Sequence, residues 1–206
     1  MLFRSLELGL AWEVTLPQNG AGRMGHSNRE MYLVAYWFPK MALLDDLRVW
    51  NAQPYLGNAE FYDGFADYSV SLRVPENWTV MATGTLENPD EVFSAVTVER
   101  LAEAATSDEL VTIAGQAERD AQVVTARSED GWLTYRFTAR GVRDFAWTAS
   151  NVQRWDATSA VVGDRDGDGE DDRALIHSFW REDRADRKST RLNSSHSQQS
   201  RMPSSA

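Results

Sequence analysis

The first strand-like segment of the chain carries a large apolar side chain at every second position. The alternating apolar residues are Leu6, Leu8, Leu10, Trp12 and Val14. This period of two turns one face of a β-strand toward a core and the other toward solvent, so the chain is predicted to open inside a strand. Because no turn or cap precedes this strand, we expect its sheet partners to lie upstream in a longer protein. A native start at Met1 is the alternative.

Similar patterns predict further strands along most of the chain. An apolar run that ends at Pro39 suits a buried strand, and a strict alternation that ends at Pro75 predicts a second strand, paired with the segment after it. The further predicted strands cover residues 31–38, 68–74, 78–86, 133–139, 145–149, 157–162 and 173–180. Many strands at short spacing with little helix indicate a mostly β fold, namely a β-sandwich.

Three short stretches have helical character. Asn88 as N-cap and Pro89 at the first helical position predict a helix start. The alanine-rich segment that begins at Leu101 and residues 108–117 are the other helical predictions. Residues 17–28 hold three glycines among polar side chains and are predicted to form a loop. One or two short helices are therefore expected beside the strands.

The distribution of large side chains divides the chain into a folded part and a tail. The eight Trp residues all precede residue 186, and such side chains favour folding through their burial. Residues 1–186 are therefore predicted to form one β-domain. Residues 187–206 hold seven Ser and no aromatic residue, so they are predicted to be a disordered or artefactual tail. We favour the artefact, because residues 188–197 are similar to translated adapter sequence.

The charge balance excludes two classes of partner. The formal net charge is -10, and residues 187–206 carry four of the 21 basic residues and none of the 31 acidic ones. The remaining chain therefore has a net charge of -14, which opposes binding to nucleic acid or to anionic membranes. No apolar run reaches the roughly 18 residues of a membrane span. Without Cys, both a cytoplasmic and an extracytoplasmic or periplasmic location are compatible with the sequence.

The residues that commonly perform hydrolysis are not arranged as catalytic motifs. The three histidines are His26, His177 and His196, and no pair of them has the H-E-x-x-H spacing of a zinc-binding helix. Neither a G-x-S-x-G nucleophile elbow nor a phosphate-binding G-x-x-x-x-G-K-[ST] loop occurs. We therefore predict no catalytic residue and no zinc ligand within this chain.

One acidic turn has the character of a metal site. Asp164, Asp166 and Asp168 occupy alternate positions before Gly169, as in the first half of a calcium-binding loop, and Asp172 stands at the ninth position. The twelfth position, where such a loop carries a bidentate Glu, is Leu175. The four aspartates are therefore candidate calcium ligands. The favoured interpretation is an acidic hairpin turn between two strands.

Eight consecutive segments carry a resemblance to a known family. The segments cover residues 22–25, 34–39, 41–46, 54–62, 66–70, 80–86, 142–147 and 155–158. In order and spacing, over about residues 5–182, they resemble the N-terminal domain of bacterial proteins related to aminopeptidase N, the gluzincin zinc metallopeptidases.

The resemblance implies a function for the longer protein. The family's saddle-shaped β-domain packs on a catalytic domain in which H-E-x-x-H and a distant Glu hold zinc, and the zinc activates water. By resemblance the parent protein is a zinc aminopeptidase acting on peptide N-termini, and this inactive fragment supplies scaffold and part of the substrate cleft. Its partners would be the missing catalytic domain and the peptide. In the family, the strand-end region that residues 34–39 resemble can help bind the free amino group of the substrate, which makes Tyr36 the candidate substrate-binding residue. Many members carry Gln near this position, so Tyr36 departs from the family's pattern.

Two other interpretations remain from the residues alone. The chain is alternatively a stand-alone β-sandwich module, stabilised by calcium, that binds sugar or peptide through Trp50, Tyr55 or Tyr62. A catalytically inactive relative that acts in protein interaction is the third interpretation. If the first domain is separated from its catalytic domain, we expect an uncovered apolar surface and self-association.

Overall fold

The computed structural model describes residues 6–20, 23–47, 49–53, 62–165 and 167–181. Strand residues make up 43% and helical residues 13%, which confirms the prediction of a mostly β fold. The tail boundary at residue 186 lies outside the described residues and stays a prediction. Within the described ranges, none of the helices has the length and apolar character to span a bilayer.

Twelve strands and three helices follow one another along the described chain. The strands are β1 Met24–Ser27, β2 Met31–Val34, β3 Leu43–Asp45, β4 Val49–Asn51, β5 Ala66–Pro75, β6 Thr79–Ala82, β7 Thr85–Leu86, β8 Val111–Ala114, β9 Trp132–Val142, β10 Trp147–Ser150, β11 Arg154–Gly163 and β12 Asp172–Trp180. The helices are α1 Pro89–Val92, α2 Ala95–Thr106 and α3 Gln116–Asp120.

The strands form four small sheets, with strand orders β1-β2-β10-β6, β12-β11-β8, β5-β9-β7 and β3-β4. The segments with a period of two at 68–74 and 133–139 form β5 and β9, as predicted. The predicted strand pair 157–162 and 173–180 forms as β11 and β12. The predicted pairing of β5 with the segment after it is wrong. β5 pairs with β9 instead, and β6 joins another sheet.

By contact pattern the chain divides into two compact units. Unit 1 comprises Met1–Val70, Met81–Thr85 and Phe137–Thr148, and unit 2 comprises Ser71–Val80, Leu86–Arg136 and Ala149–Ala206. The core of unit 1 forms around Phe145, whose ring is fully buried and lies 6.0 Å from Tyr68 and 6.3 Å from Phe137, centroid to centroid. The Trp37 indole donates a hydrogen bond to the Phe145 carbonyl at 3.0 Å.

The core of unit 2 is built on the hairpin of β11 and β12. Trp155 is fully buried, stacks on Phe179 at 5.2 Å and meets Phe93 at 5.4 Å. Phe93 in turn packs edge-on against the buried Tyr135 at 5.6 Å. Burying one such ring contributes about 1.5 to 3 kcal/mol, so this aromatic group is a main source of stability in unit 2.

The helical predictions are confirmed for α1 and α2 and are wrong for residues 108–115, while Gln116 and Ala117 begin α3. Ser94 caps α2, because its Oγ accepts the backbone N–H of Thr97 at 3.3 Å. Residues 111–114 form β8, which pairs with β11. The β-branched Val111 and Ile113 suit that paired conformation, so sheet pairing overrides the local helical pattern.

Two predicted strands in unit 1 differ from the structure. Residues 6–16 form no strand, because nothing among the described residues pairs with them. The predicted strand 31–38 ends early, at Val34, since Tyr36 adopts a positive φ of 54° that interrupts an extended ladder.

Candidate functional site

Tyr36, the candidate substrate-binding residue, has a strained backbone. It lies two residues after β2 with φ of 54°, in the left-handed region that bulky L-residues seldom adopt. Such a conformation costs about 1 to 2 kcal/mol and persists only where the surroundings impose it. Strained residues cluster at binding sites, so the side chains around Tyr36 are the first place to look for function.

Two cations flank the Tyr36 ring. The Arg23 guanidinium lies 5.1 Å from the ring centroid, and its Nη1 donates a hydrogen bond to the Tyr36 hydroxyl at 2.8 Å. The Lys40 Nζ lies 4.8 Å from the same centroid. Both distances are within the range of cation–π attraction, so the ring is held in place by charge on the groups around it.

Lys40 also links Tyr36 to two carboxylates. Its Nζ lies 2.7 Å from Asp63 Oδ2 and 3.1 Å from Asp144 Oδ1, and all three side chains are less than a quarter exposed. Burial opposes the ammonium charge, but hydrogen bonds to Asp63 and Asp144 outweigh it and raise the pKa of Lys40 above its usual value. Lys40 is therefore a charged anchor.

We call Arg23, Tyr36, Lys40, Asp63 and Asp144 the Tyr36 cluster. Its lysine and two aspartates together carry a net charge of -1, and the Arg23 guanidinium brings the whole cluster to zero. The two carboxylates, rather than a net charge, are the groups that can accept hydrogen bonds from an amino group. Arg23 offers donors to a carbonyl or carboxylate. This set of groups can bind and orient the polar end of a ligand. Its one ammonium is held charged by two carboxylates, so the lysine is not poised to act as a base.

Sequence reasoning found Tyr36 and missed the charged residues around it. Lys40, Asp63 and Asp144 are ordinary surface-type residues that share no motif, and 81 residues separate the two aspartates along the chain. Only the fold brings them to one ammonium group. The position of Lys40 directly after Pro39 gave no indication of a site.

The acidic turn between β11 and β12 uses its carboxylates to shape the backbone. Asp164 Oδ1 accepts the N–H of Gly167 at 2.6 Å, and its Oδ2 accepts that of Gly169 at 3.0 Å. Asp172 Oδ2 accepts the N–H of Arg165 at 2.9 Å. These bonds fit the hairpin-turn interpretation.

The calcium prediction is not tested by these contacts. Asp166 lies outside the described residues, and Asp168 accepts the N–H of Glu170 at 2.8 Å. Among the residues that the structure describes, no three His, Asp or Glu side chains are grouped as a metal site. Calcium binding at Asp164, Asp166, Asp168 and Asp172 therefore stays a prediction.

The histidines serve structural contacts where they are described. His26 lies in β1 rather than in the predicted loop, and its Nδ1 accepts the N–H of Arg29 at 3.2 Å. His177 lies in β12, as predicted, and its Nδ1 accepts the indole N–H of the buried Trp155 at 3.1 Å. The residue as a whole is exposed on β12, but its ring packs against Trp155, and this partial burial lowers the pKa of His177. His196 lies outside the described residues.

Arg119 is the most deeply buried cation described. Its side chain donates from Nε to the Gln153 carbonyl at 2.7 Å and from Nη1 to Thr79 Oγ1 at 2.8 Å. Burial lowers the pKa of Arg119 to about 10. Because both partners are neutral, Arg119 acts as a link between strand and loop in unit 2.

Two of the three aromatic residues proposed for the alternative binding module lie among the described residues. Trp50 and Tyr62 are each 55% exposed. Tyr55 lies outside the described residues. Exposed rings of this kind can stack on a sugar or a peptide.

Comparison of the chain with protein-family models, with curated proteins and with solved structures finds no match. What the structure defines is a mostly β protein with a charged, aromatic cluster around a strained tyrosine. The choice of a function therefore depends on the pattern of residues and on this geometry.

Proposed function

We propose that this chain is the non-catalytic N-terminal β-domain of a gluzincin zinc aminopeptidase. The observation that carries the proposal is the ordered series of eight resembling segments over about residues 5–182. In this role the chain supplies scaffold and part of the cleft that receives a peptide N-terminus. Zinc and the general base belong to a separate catalytic domain, and no residue of this chain is assigned to either.

The mostly β architecture supports the finer fold assignment. The family's first domain is a saddle-like β-domain, and the described chain is built of antiparallel pairs such as β1 with β2 and β11 with β12. Short helices accompany the strands, as the proposal expects. We therefore propose the saddle-like β-domain rather than a generic sandwich.

The Tyr36 cluster supports a role in the substrate cleft. Tyr36 follows β2, at the segment that resembles the family's contact with the free amino group. The two carboxylates around Lys40 can accept hydrogen bonds from a second cationic group, because each carboxylate has more acceptor sites than one ammonium occupies. In this proposal Tyr36 packs against the peptide terminus, and the cluster's carboxylates attract its ammonium.

The decisive experiment is to sequence the source locus through and beyond the codon for Asp186. The proposal expects an open frame that encodes H-E-x-x-H and a downstream Glu. The encoded full-length protein should then release the first residue from an aminoacyl p-nitroanilide, and chelation of zinc should abolish this activity. A frame that stops after Ala206 would overturn the proposal.

The second candidate is a stand-alone ligand-binding module stabilised by calcium. The exposed Trp50 and Tyr62 favour it, because both rings are available for stacking. Its test is thermal unfolding with and without added calcium. A rise in Tm that is lost in Asp164→Asn, and not in the control Asp120→Asn, would support this candidate.

A further inference from the structure

Residues 6–16 carry the pattern of a strand without its pairing. Their apolar side chains are strongly exposed: Leu6 78%, Leu8 58%, Leu10 64%, Trp12 47% and Val14 46%. Among the described residues, none donates or accepts a backbone hydrogen bond with this segment. Such a row of free backbone groups beside apolar side chains is a template for pairing with another strand.

The structure holds this segment in place at two points. The Trp12 indole donates to the Trp37 carbonyl at 2.9 Å, and the two rings lie 6.0 Å apart. Immediately after the segment, Pro17 accepts the N–H of His26 at 2.9 Å, and Asn19 donates to the His26 carbonyl at 2.8 Å. A segment that is already positioned loses less conformational freedom when it binds, so pairing costs less.

We propose that residues 6–16 are a docking strand. The ligand is an extended segment of a partner protein that alternates apolar residues with Lys or Arg. The partner adds a strand alongside this segment, its backbone pairs with the free N–H and C=O groups, and its apolar side chains cover the exposed leucines. This proposal does not depend on the peptidase assignment, and it replaces the expectation that the partner of this strand lies upstream in the same protein.

Charge decides the chemistry of the partner. Residues 6–16 contain Glu7 and Glu13 and no basic residue, and both glutamates lie at positions between the apolar side chains. Basic residues at the matching positions of a partner strand would face these carboxylates, and opposite charges across two strands stabilise the pair. The net charge of -10 also accelerates the approach of a basic partner.

The same charges disfavour a second copy of this chain as the occupant. In the antiparallel register that pairs every apolar residue, Leu10 faces Leu10 and each Glu7 faces a Glu13. Like charges placed directly opposite each other destabilise a strand pair. Two bodies of net charge -10 also repel each other at low salt.

The test is hydrogen exchange by mass spectrometry on the whole chain with two synthetic probes. One nine-residue peptide alternates Val and Lys, and the other alternates Val and Glu. The proposal expects the Val/Lys peptide to slow amide exchange in residues 6–16 at least tenfold, since the amides enter a ladder. The Val/Glu peptide should leave the exchange unchanged.

Three variants make the test specific. Leu10→Ser should weaken binding of the Val/Lys peptide at least tenfold, while Leu110→Ser, which removes a leucine that is 57% exposed elsewhere, should leave it unchanged. The double variant Glu7→Lys, Glu13→Lys should prefer the Val/Glu peptide. The proposal is overturned if neither peptide protects residues 6–16, or if both protect them equally. Protection of these residues that grows with protein concentration alone would also overturn it, in favour of self-pairing.

Discussion

At the scale of single residues, Gly84 is the described glycine at which an added Cβ would come closest to another atom. Its φ is +90°, and a Cβ added there would lie 2.1 Å from the Thr138 carbonyl oxygen. Gly131 also has a positive φ, +74°, but a Cβ there would meet nothing within 4 Å. The two glycines therefore separate steric overlap from the cost of backbone conformation.

We predict that Gly84→Ala destabilises the protein more than Gly131→Ala does. Placing alanine at a positive φ costs about 1 kcal/mol of stability in each variant. At Gly84 the steric overlap costs about 1 to 3 kcal/mol more, because the backbone of Thr138 must move. Urea unfolding followed by circular dichroism measures both free energies. Equal losses in the two variants would contradict the predicted overlap with Thr138.

Lys40 is predicted to stabilise unit 1 through its two carboxylate partners. Lys40→Met leaves Asp63 and Asp144 facing each other's charge in a poorly exposed position, and a loss of roughly 1 kcal/mol is expected after allowance for solvent screening. Arg73→Met is the matched control, since it breaks a pair with Asp130 in which both side chains are more than half exposed. The control should lose less stability in the same urea titration.

The pH dependence of the Lys40 contribution has a definite sign. The folded-state pKa of Lys40 is raised above 10.5, so its stabilising contribution is complete below that pH and is lost as pH rises through the folded-state value. The difference in stability between the wild type and Lys40→Met should therefore shrink only at strongly alkaline pH. A difference that persists unchanged at strongly alkaline pH would show that Lys40 acts by packing alone, and one that disappears between pH 6 and 8 would contradict the raised pKa.

His177 is predicted to make unit 2 sensitive to mild acid. Its pKa is lowered by burial, and its Nδ1 must remain unprotonated to accept the Trp155 N–H. As pH falls, His177 therefore takes up a proton in the unfolded state at a higher pH than in the folded state. The stability that neutral His177 contributes is complete above pH 6.5 and is lost as pH falls through the folded-state pKa. His177→Phe should remove the part of the fall in Tm between pH 7 and 5 that belongs to this residue. An unchanged pH profile in the variant would contradict the assignment.

At the scale of elements, period-two patterns located strands well and identified their partners poorly. The alternation at Leu133, Tyr135 and Phe137 gave β9, because alternate side chains enter the core whatever strand lies beside them. The partner of β5 could not be read in the same way. Pairing of β5 with β9 depends on contacts across more than 50 residues, and local sequence favours the nearest segment.

At the scale of elements, we predict that the N-cap of α2 contributes to stability. Ser94→Ala should destabilise unit 2 by about 1 kcal/mol, because the N–H of Thr97 loses its acceptor at the start of the helix. Ser94→Thr keeps a hydroxyl at this position and should recover most of the loss. Thermal unfolding of the three proteins compares them directly. Equal Tm values for Ser94→Ala and the wild type would show that the cap contributes nothing.

At the scale of the whole molecule, the sequence predicted a mostly β protein and identified one residue of the Tyr36 cluster, Tyr36 itself. Tyr36 was found because it lies in a segment that resembles the family. Lys40, Asp63 and Asp144 were not found, since three separate parts of the chain must fold before they meet. Residues 6–16 show the converse case, in which a clear strand pattern has no partner among the described residues.

At this scale we predict self-association of the chain through the β3–β4 hairpin. Leu44 and Trp50 are paired across this two-stranded sheet, and they are 58% and 55% exposed. A hairpin that exposes such a pair gains stability when another surface covers it. We therefore predict that the chain alone self-associates through this hairpin, despite the repulsion of its net charge.

Sedimentation velocity over a range of concentrations measures this association. The double variant Leu44→Ser, Trp50→Ser should remain monomeric where the wild type forms dimers or larger species, because the apolar pair is the contact. The control Val96→Ser, Leu110→Ser removes two residues that are 54% and 57% exposed in unit 2 and should associate as the wild type does. A wild-type chain that stays monomeric at every concentration would contradict this prediction, because the exposed pair of Leu44 and Trp50 would then be stable without a covering surface.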